Sequence, residues 1–286
     1  MTKINRVLIA IGLASAIGLG GCVSMQKSTN IPSDKSRQVH LTVSEKMPAT
    51  LPSDAHIIPD THFAVVFAEH AATLLVPIPF VGEAVEDSVN NSKSKAYRDH
   101  YLGLDVVGFA RDAMANSPLY SESEGAMEIH PVAYVQECID DKFRISLAIH
   151  IESPDWTGRY LYHVPTAIPA EDISNPSEQE LSQIKNEFKV GFNKLVELIE
   201  RDANGQLQPT GQKVDFGSLY IYGSRLGGLV SPTVMHLADG ELIEEGQDYV
   251  IFRHSGDMSV AGNAGALLFG VHYFMKDQLQ IGRAHV

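Results

Sequence analysis

The sequence predicts an α+β fold: an antiparallel β-meander covered by a long amphipathic helix, with additional N-terminal helices and a smaller C-terminal all-β module. Three strand-like runs, residues 129–138, 143–152 and 159–167, follow one another with only turn-forming segments between them. A segment with apolar residues at helical spacing comes next, from about residue 177 to residue 204. Consecutive strands joined by short turns pair as a meander, and the helix supplies the cover that one apolar face of such a sheet needs.

The second strand of the predicted meander shows its two faces most clearly. Its apolar residues alternate with polar ones, which separates two sets of side chains onto opposite faces. The apolar set is Phe143, Ile145, Leu147, Ile149 and Ile151, and the polar set is Arg144, Ser146, His150 and Glu152. We therefore expect one face of the sheet to be covered and the other to be solvated.

The helix that follows has recognisable ends. Ser177 and Glu180 stand at the spacing of a capping box, and Gly205 stands where a helix usually stops. Between them one stripe recurs at helical spacing and consists of Leu181, Ile184, Phe188, Phe192, Leu195 and Ile199. We expect this stripe to lie on the sheet.

The start of the α+β domain, which we place at residues 61–205, is less distinct. Residues 63–81 are almost all apolar and favour a buried helix near residues 62–76, broken at Pro77 and Pro79. A membrane span is disfavoured, because Glu69 and His70 would be costly in lipid. An exposed segment that binds a partner or dips into a membrane stays an alternative. Further helices are expected over residues 83–101 and 105–116.

The C-terminal part changes in character after the polar residues 204–213. Short strand-like runs with turns between some of them predict a small β module over residues 206–280, although these strands could equally extend the first sheet. The last six residues, "IGRAHV", resemble one translation frame of a common sequencing adapter. Residues 281–286 are therefore expected to be an artefact and carry no functional argument.

The first residues predict a secretory signal peptide over residues 1–21. Lys3 and Arg6 precede an apolar core, Val7 to Leu19, and the small pair Gly20 and Gly21 follows it. A core of this length is too short to span a bilayer, which takes about 20 residues.

The four residues Leu19, Gly20, Gly21 and Cys22 resemble the lipobox of bacterial lipoproteins. The resemblance implies a diacylglyceryl group on the Cys22 thiol, cleavage before Cys22, and acylation of the new amino group. Several acyl chains anchor a protein stably. Val23 and Ser24 follow where lipoproteins of the inner membrane typically carry Asp, so in a diderm bacterium we expect the outer membrane, facing the periplasm.

Residues 22–60 are predicted to form the lipidated cysteine and a flexible tether, since they are rich in Ser, Thr, Pro and Lys. Such a stretch has a root-mean-square reach of roughly 35 Å. Within it, residues 39–43 alternate and are expected to add an edge strand to the body. The net charge of −13 argues against nucleic acid and against adsorption to anionic lipid, so the acyl chains would hold the protein to its membrane.

Signatures of catalysis, cofactor binding and metal binding are missing from the sequence. The twelve histidines show no paired metal-ligand spacing, and Cys138 has no partner once Cys22 is lipidated, so it is expected to be a buried, inert thiol. Ser224 lacks the flanking glycines of a nucleophile elbow. His150 and His163 are expected to approach each other near Glu152 on the solvated face, where a metal or proton-transfer role is the alternative to a plain polar surface.

We therefore expect a membrane-anchored periplasmic lipoprotein that acts as a structural or protein-interaction module of the cell envelope. Its partners would be the membrane, through the lipid on Cys22, and an envelope protein, with no nucleic acid and no cofactor beyond the covalent lipid. Two alternatives stay open. One is an envelope hydrolase with a dispersed active site, and the other is a ligand-binding or transport accessory lipoprotein.

Overall fold

The computed structural model describes residues 27–32, 39–51, 55–67, 79–138, 142–214, 218–220, 234–236, 240–255 and 269–278. Its helices are α1 (Pro79–Tyr101), α2 (Val106–Met114) and α3 (Glu178–Ala203). Its first six strands are β1 (Leu41–Val43), β2 (Ala55–Ile57), β3 (Phe63–Val66), β4 (Met127–Cys138), β5 (Lys142–Ser153) and β6 (Trp156–Pro169). The remaining strands are β7 (Lys213–Val214), β8 (Ser218–Tyr220), β9 (Val234–His236), β10 (Gly240–Glu245), β11 (Tyr249–His254) and β12 (Gly270–Met275). The α+β class predicted from the sequence is confirmed.

Most of the described strands belong to one mixed sheet. Its order is β2-β3-β4-β5-β6-β12-β11-β10-β7, and β1 pairs with β4 on the same side as β3. Strands β4, β5 and β6 pair antiparallel as consecutive neighbours. The long strands at the centre therefore come from the part of the chain with the clearest alternation.

The expected helix near residues 62–76 is wrong at its beginning, because residues 63–66 form β3. This strand pairs parallel with β4, with Phe63 opposite Ala133 and Val66 opposite Gln136. All four of its residues are buried. A strand that is buried on both faces is apolar throughout, so its sequence has no alternation to distinguish it from a buried helix. Residues 68–78 lie outside the described part.

Four of the C-terminal strands, β7, β10, β11 and β12, continue the first sheet, whereas β8 and β9 pair with each other. β12 pairs parallel with β6, with His272 opposite Leu161, and β11 and β10 follow outwards from β12. The sequence was compatible with a separate β module and with an extension of the first sheet. The hydrogen bonds match the extended sheet. The ladder crosses the boundary that we placed at residue 205.

Helix α3 packs closely on the meander. Ser177 accepts from the backbone N–H of Glu180, whose carboxylate accepts from the backbone N–H of Ser177, and Gly205 follows the helix with a φ of +68°. A Cβ placed on Gly191 would lie 2.6 Å from the Leu147 side chain, so the glycine permits the close approach. The buried stripe of α3 is Ile184, Phe188, Phe192, Leu195 and Ile199, and Leu181 is partly buried.

The described parts of the predicted tether pack on the body, which corrects the expectation of a flexible stretch there. Ile31, Leu41 and Ile58 are buried, and residues 41–43 and 55–57 are strands of the sheet. Small and polar composition suggested a linker, but Ile31, Leu41 and Ile58 enter the core, whereas Ile57 is 43% exposed.

Candidate functional site

Cys22 and Ser224 lie outside the described residues, and so does the side chain of Cys138. The first described residue after Cys22 is Lys27. The structure therefore bears on the predicted anchor only through the residues that follow it.

Residues 27–32 are bonded into the body, around a buried ion pair at the end of α3. Arg253 donates to Asp202 over 2.7 Å, and both side chains are almost completely buried. Asp202 also accepts from the Tyr160 hydroxyl at 2.5 Å and from the backbone N–H of Ile31 at 3.1 Å. Arg253 donates a second bond, of 3.3 Å, to the Ser28 hydroxyl. Hydrogen bonds on both oxygens of the carboxylate offset the cost of burying it.

The opposite face of the sheet, away from α3, carries a row of buried histidines, which we call the histidine face. The expectation of a solvated polar face is wrong here, because His150 and His272 have no exposed surface and the others have less than a tenth. The histidines of this face are His130 on β4, His150 on β5, His163 on β6, His254 on β11 and His272 on β12.

One group on this face is a directed chain of hydrogen bonds around His150. The Thr50 hydroxyl donates to the Glu152 carboxylate over 2.7 Å, which leaves its oxygen to accept from Nδ1–H of His150 at 3.3 Å. Nε2 of His150 then accepts from the Tyr134 hydroxyl at 2.9 Å. This arrangement fits a neutral imidazole, in which one ring nitrogen donates and the other accepts.

The electrostatics of this group agree with the geometry. Burial lowers the pKa of His150 well below its usual value of 6.5, and the nearby Arg159 and His130 lower the pKa further. Burial also raises the pKa of Tyr134 to about 12. His150 therefore stays neutral and Tyr134 stays protonated near pH 7.

The same group holds residues 44–50 across the sheet. Arg159 donates to the Thr50 carbonyl over 3.0 Å, and Nδ1 of His130 lies 3.0 Å from the Lys46 carbonyl. Glu152 accepts from the backbone N–H groups of Ala49 and Thr50, both at 3.1 Å. The polar side chains of this face thus bind the backbone of a segment close to the N-terminus.

A second group contains a serine and two histidines. Oγ of Ser146 lies 2.8 Å from Nδ1 of His163, and Nε2 of His163 lies 3.1 Å from Nδ1 of His272. Gln136 donates to Ser146 over 3.1 Å. Burial lowers the pKa of His163 well below 6.5, and His272 contributes to the lowering. The ring of His163 also stacks on Phe274.

His150 and His163 do not meet. His150 lies opposite Arg159 and His163 lies opposite Ser146, which places them four residues apart along β5. At about 3.3 Å per residue, this separation is roughly 13 Å. The alternation of the sequence placed both histidines on one face correctly, but it could not give the register between β5 and β6. It also gave no signal for His272, whose strand is remote in the chain.

A groove of about 510 Å³ runs beside the first half of α3. Its lining is mostly uncharged and polar and consists of Tyr162, Gln179, Ser182, Gln183, Asn186, Glu187 and Val190. Val190 is 53% exposed, which is unusual for a large apolar residue of this fold. The groove is on the helix side of the sheet, because Tyr162 contacts α3 there, and so it does not open onto Ser146.

In the part of the chain that the structure describes, no three His, Cys, Asp or Glu side chains gather in a way that could hold a metal ion. None of the described helices combines the length and the apolar character needed to cross a membrane.

Comparison of the chain with protein-family models, curated proteins and solved structures finds no match in any of the three.

Proposed function

We propose that the protein is a lipoprotein of the bacterial cell envelope, anchored through Cys22, whose folded body acts as a structural or protein-interaction module. The signal-peptide pattern and the lipobox-like residues before Cys22 support the anchor. In a diderm bacterium the body faces the periplasm from the outer membrane, since Val23 and Ser24 replace the Asp typical of inner-membrane retention.

The observation that carries this proposal is the bonding of residues 27–32 into the body. Ser28 and Ile31 contact the Arg253 and Asp202 side chains, both of which are buried. A segment so close to Cys22 connects the lipid to the core of the fold rather than to a loose extension. Force on the anchor would pass directly into the sheet, which suits a structural element.

The histidine face supports the same proposal. His150 uses both ring nitrogens to bind Tyr134 and Thr50, and it is neutral and buried. These bonds hold residues 44–50 in place and leave neither nitrogen for a substrate. The proposal includes α3 as the helix that covers the meander. The groove beside α3 is then the candidate contact for an envelope partner.

A second candidate is an envelope hydrolase, and one observation favours it. The 2.8 Å contact between Ser146 and His163, continued to His272, has the residue types of a nucleophile, a base and a third group that orients the base. Ser146 is only 2% exposed, however, and it stands in the middle of a central strand. We therefore rank the structural module first.

Labelling of growing cells with radioactive palmitate tests the anchor. The parent and Cys138→Ala are expected to incorporate label and to fractionate with membranes, because both proteins keep Cys22. Cys22→Ala is expected to incorporate none and to keep its signal peptide. Label in Cys22→Ala, or none in the parent, would contradict the proposal.

A further inference from the structure

The described chain begins only five residues after Cys22, at Lys27, and its first hydrogen bond to the body is from the backbone N–H of Ser28 to the Ser255 hydroxyl. Five residues span at most about 18 Å when fully extended. With the lipid of Cys22 in the bilayer, Lys27 and the residues around it must lie within that distance of the membrane surface. This distance is about half of the reach expected of a flexible tether.

Two features flank residues 27–32, and we call them together the anchor face. The first is Trp156, whose indole N–H donates to the Thr29 hydroxyl over 3.1 Å. The second is the loop Asn204–Gln212, in which the Leu207 carbonyl accepts from the Asn30 side chain at 3.4 Å. Both features are thus fixed relative to the point where the chain leaves toward Cys22.

The chemistry of the anchor face suits a lipid surface. The loop Asn204–Gln212 contains no charged residue, although the whole chain carries a net charge of −13. The side chains of Gln206, Gln208 and Gln212 are exposed there, and Trp156 is partly exposed. Uncharged polar side chains avoid repulsion by anionic headgroups, and tryptophan favours the membrane interface because its apolar ring carries one polar N–H.

We propose that the anchor face lies against the bilayer that holds the acyl chains, with Trp156 at the level of the headgroups. The inference deepens the proposed function and rests on it, since it requires the lipid on Cys22. It places the Ala203 end of α3 nearest the membrane. The middle of the groove lies about 30 Å away along the helix, at 1.5 Å per residue.

The protein contains one tryptophan, so its own fluorescence reports on this face. The experiment uses the purified lipidated protein in vesicles of phosphatidylethanolamine and phosphatidylglycerol, with and without phosphatidylcholine that carries a spin label on its headgroup. We expect the spin label to quench Trp156 emission by at least about half, because quenching of this kind requires close approach of the label to the indole.

Two matched insertions test whether the short connection causes this orientation. Thirty Gly and Ser residues between Ser24 and Met25 add a reach of about 30 Å, and quenching is then expected to be lost. The same insert between Asp34 and Lys35 leaves the connection from Cys22 to Lys27 unchanged and is expected to preserve quenching. Both variants are expected to float with vesicles, since both keep the lipid.

The outcomes separate the inference from the proposal beneath it. A parent that does not float with vesicles, or whose Cys22 is unmodified by mass spectrometry, contradicts the lipid anchor itself. A parent that floats without quenching of Trp156 overturns the orientation alone. Equal quenching in the variant lengthened at Ser24 also overturns the inference, because the short connection would then not set the orientation.

Discussion

The buried polar residues of this protein follow two different electrostatic solutions. Asp202 pairs with Arg253 and also accepts from Tyr160 and the backbone N–H of Ile31. His150 instead stays neutral, since burial and the charge of Arg159 lower its pKa. A buried charge is tolerated where hydrogen bonds or an opposite charge compensate it, and a titratable group gives up its charge where they do not.

Because His150 and His163 are buried and neutral, we expect the protein to lose stability in mild acid. The pKa values of His150 and His163 are lowered on folding, so below about pH 6.5 the unfolded chain binds protons that the folded chain does not. The stability that the two neutral histidines contribute is therefore fully present above pH 6.5 and is lost as the pH falls below that value. From pH 7.5 to pH 5.5, each histidine should lower the free energy of unfolding by about 1.4 kcal/mol. Urea denaturation at both pH values measures it.

His150→Gln and His163→Gln should each remove about half of this combined loss, although both variants are less stable at every pH. Lys189→Gln changes an exposed charge but no histidine, and it should retain the full loss. If His150→Gln and His163→Gln lose as much stability as the parent between the two pH values, these histidines are not the cause.

At the scale of elements, α3 provides a direct test of the sheet–helix interface. Phe188 and Leu195 are completely buried, and Phe188 stacks on Phe63 and meets Phe109 edge-on. Phe188→Asp or Leu195→Asp would place an unpaired charge there, at a cost of several kcal/mol. Thermal melting followed by circular dichroism should show both variants unfolded or strongly destabilised.

Lys189→Asp is the matched control, because it places the same new residue on the exposed side of the same helix. It is expected to melt within a few degrees of the parent. Equal melting temperatures for all three variants would mean that the stripe does not face the sheet.

Elements with a strong local pattern could be predicted from the sequence, and elements defined by distant pairing could not. The capping box at Ser177 and the alternation of β5 are local signals, and both are present in the structure. The parallel pairing of β3 with β4 and of β12 with β6 joins residues far apart in the chain. Short apolar runs such as residues 63–66 therefore fit a helix or a strand equally well until their neighbours are known.

The candidate site shows the same limit. Alternation placed His150 and Ser146 on one face of β5, but the composition assigned residues 44–50, which bond to His150 and Glu152 on that face, to a linker. Thr50 has no unusual sequence context, yet it bonds to His150 and Glu152 and presents its carbonyl to Arg159. A polar face is read as solvated unless the segment that satisfies it is known.

At the scale of the whole molecule, the N-terminal chain contacts both faces of one sheet. Residues 27–32 bind the buried ion pair on the helix side, and residues 44–50 bind the histidine face. Between these contacts the sheet is one continuous ladder, in the order β4-β5-β6-β12-β11-β10. The described residues after the predicted lipid site are therefore part of the fold, as the proposed short connection to the membrane requires.

Complementation of a deletion strain distinguishes the structural module from the hydrolase. Loss of a catalytic nucleophile or base lowers activity by orders of magnitude without unfolding the protein. Removal of one partner from a buried neutral hydrogen bond costs only about 1–3 kcal/mol of stability. We therefore expect Ser146→Ala to complement as well as the exposed control Ser182→Ala. Other single changes should impair function only as far as they lower the abundance or the melting temperature of the protein; the positions are His150, His163, Ser224 and His254. Cys22→Ala should fail to complement. A Ser146→Ala protein that is stable and correctly localised but inactive, with the parent labelled at Ser146 by a fluorophosphonate, would establish the hydrolase instead.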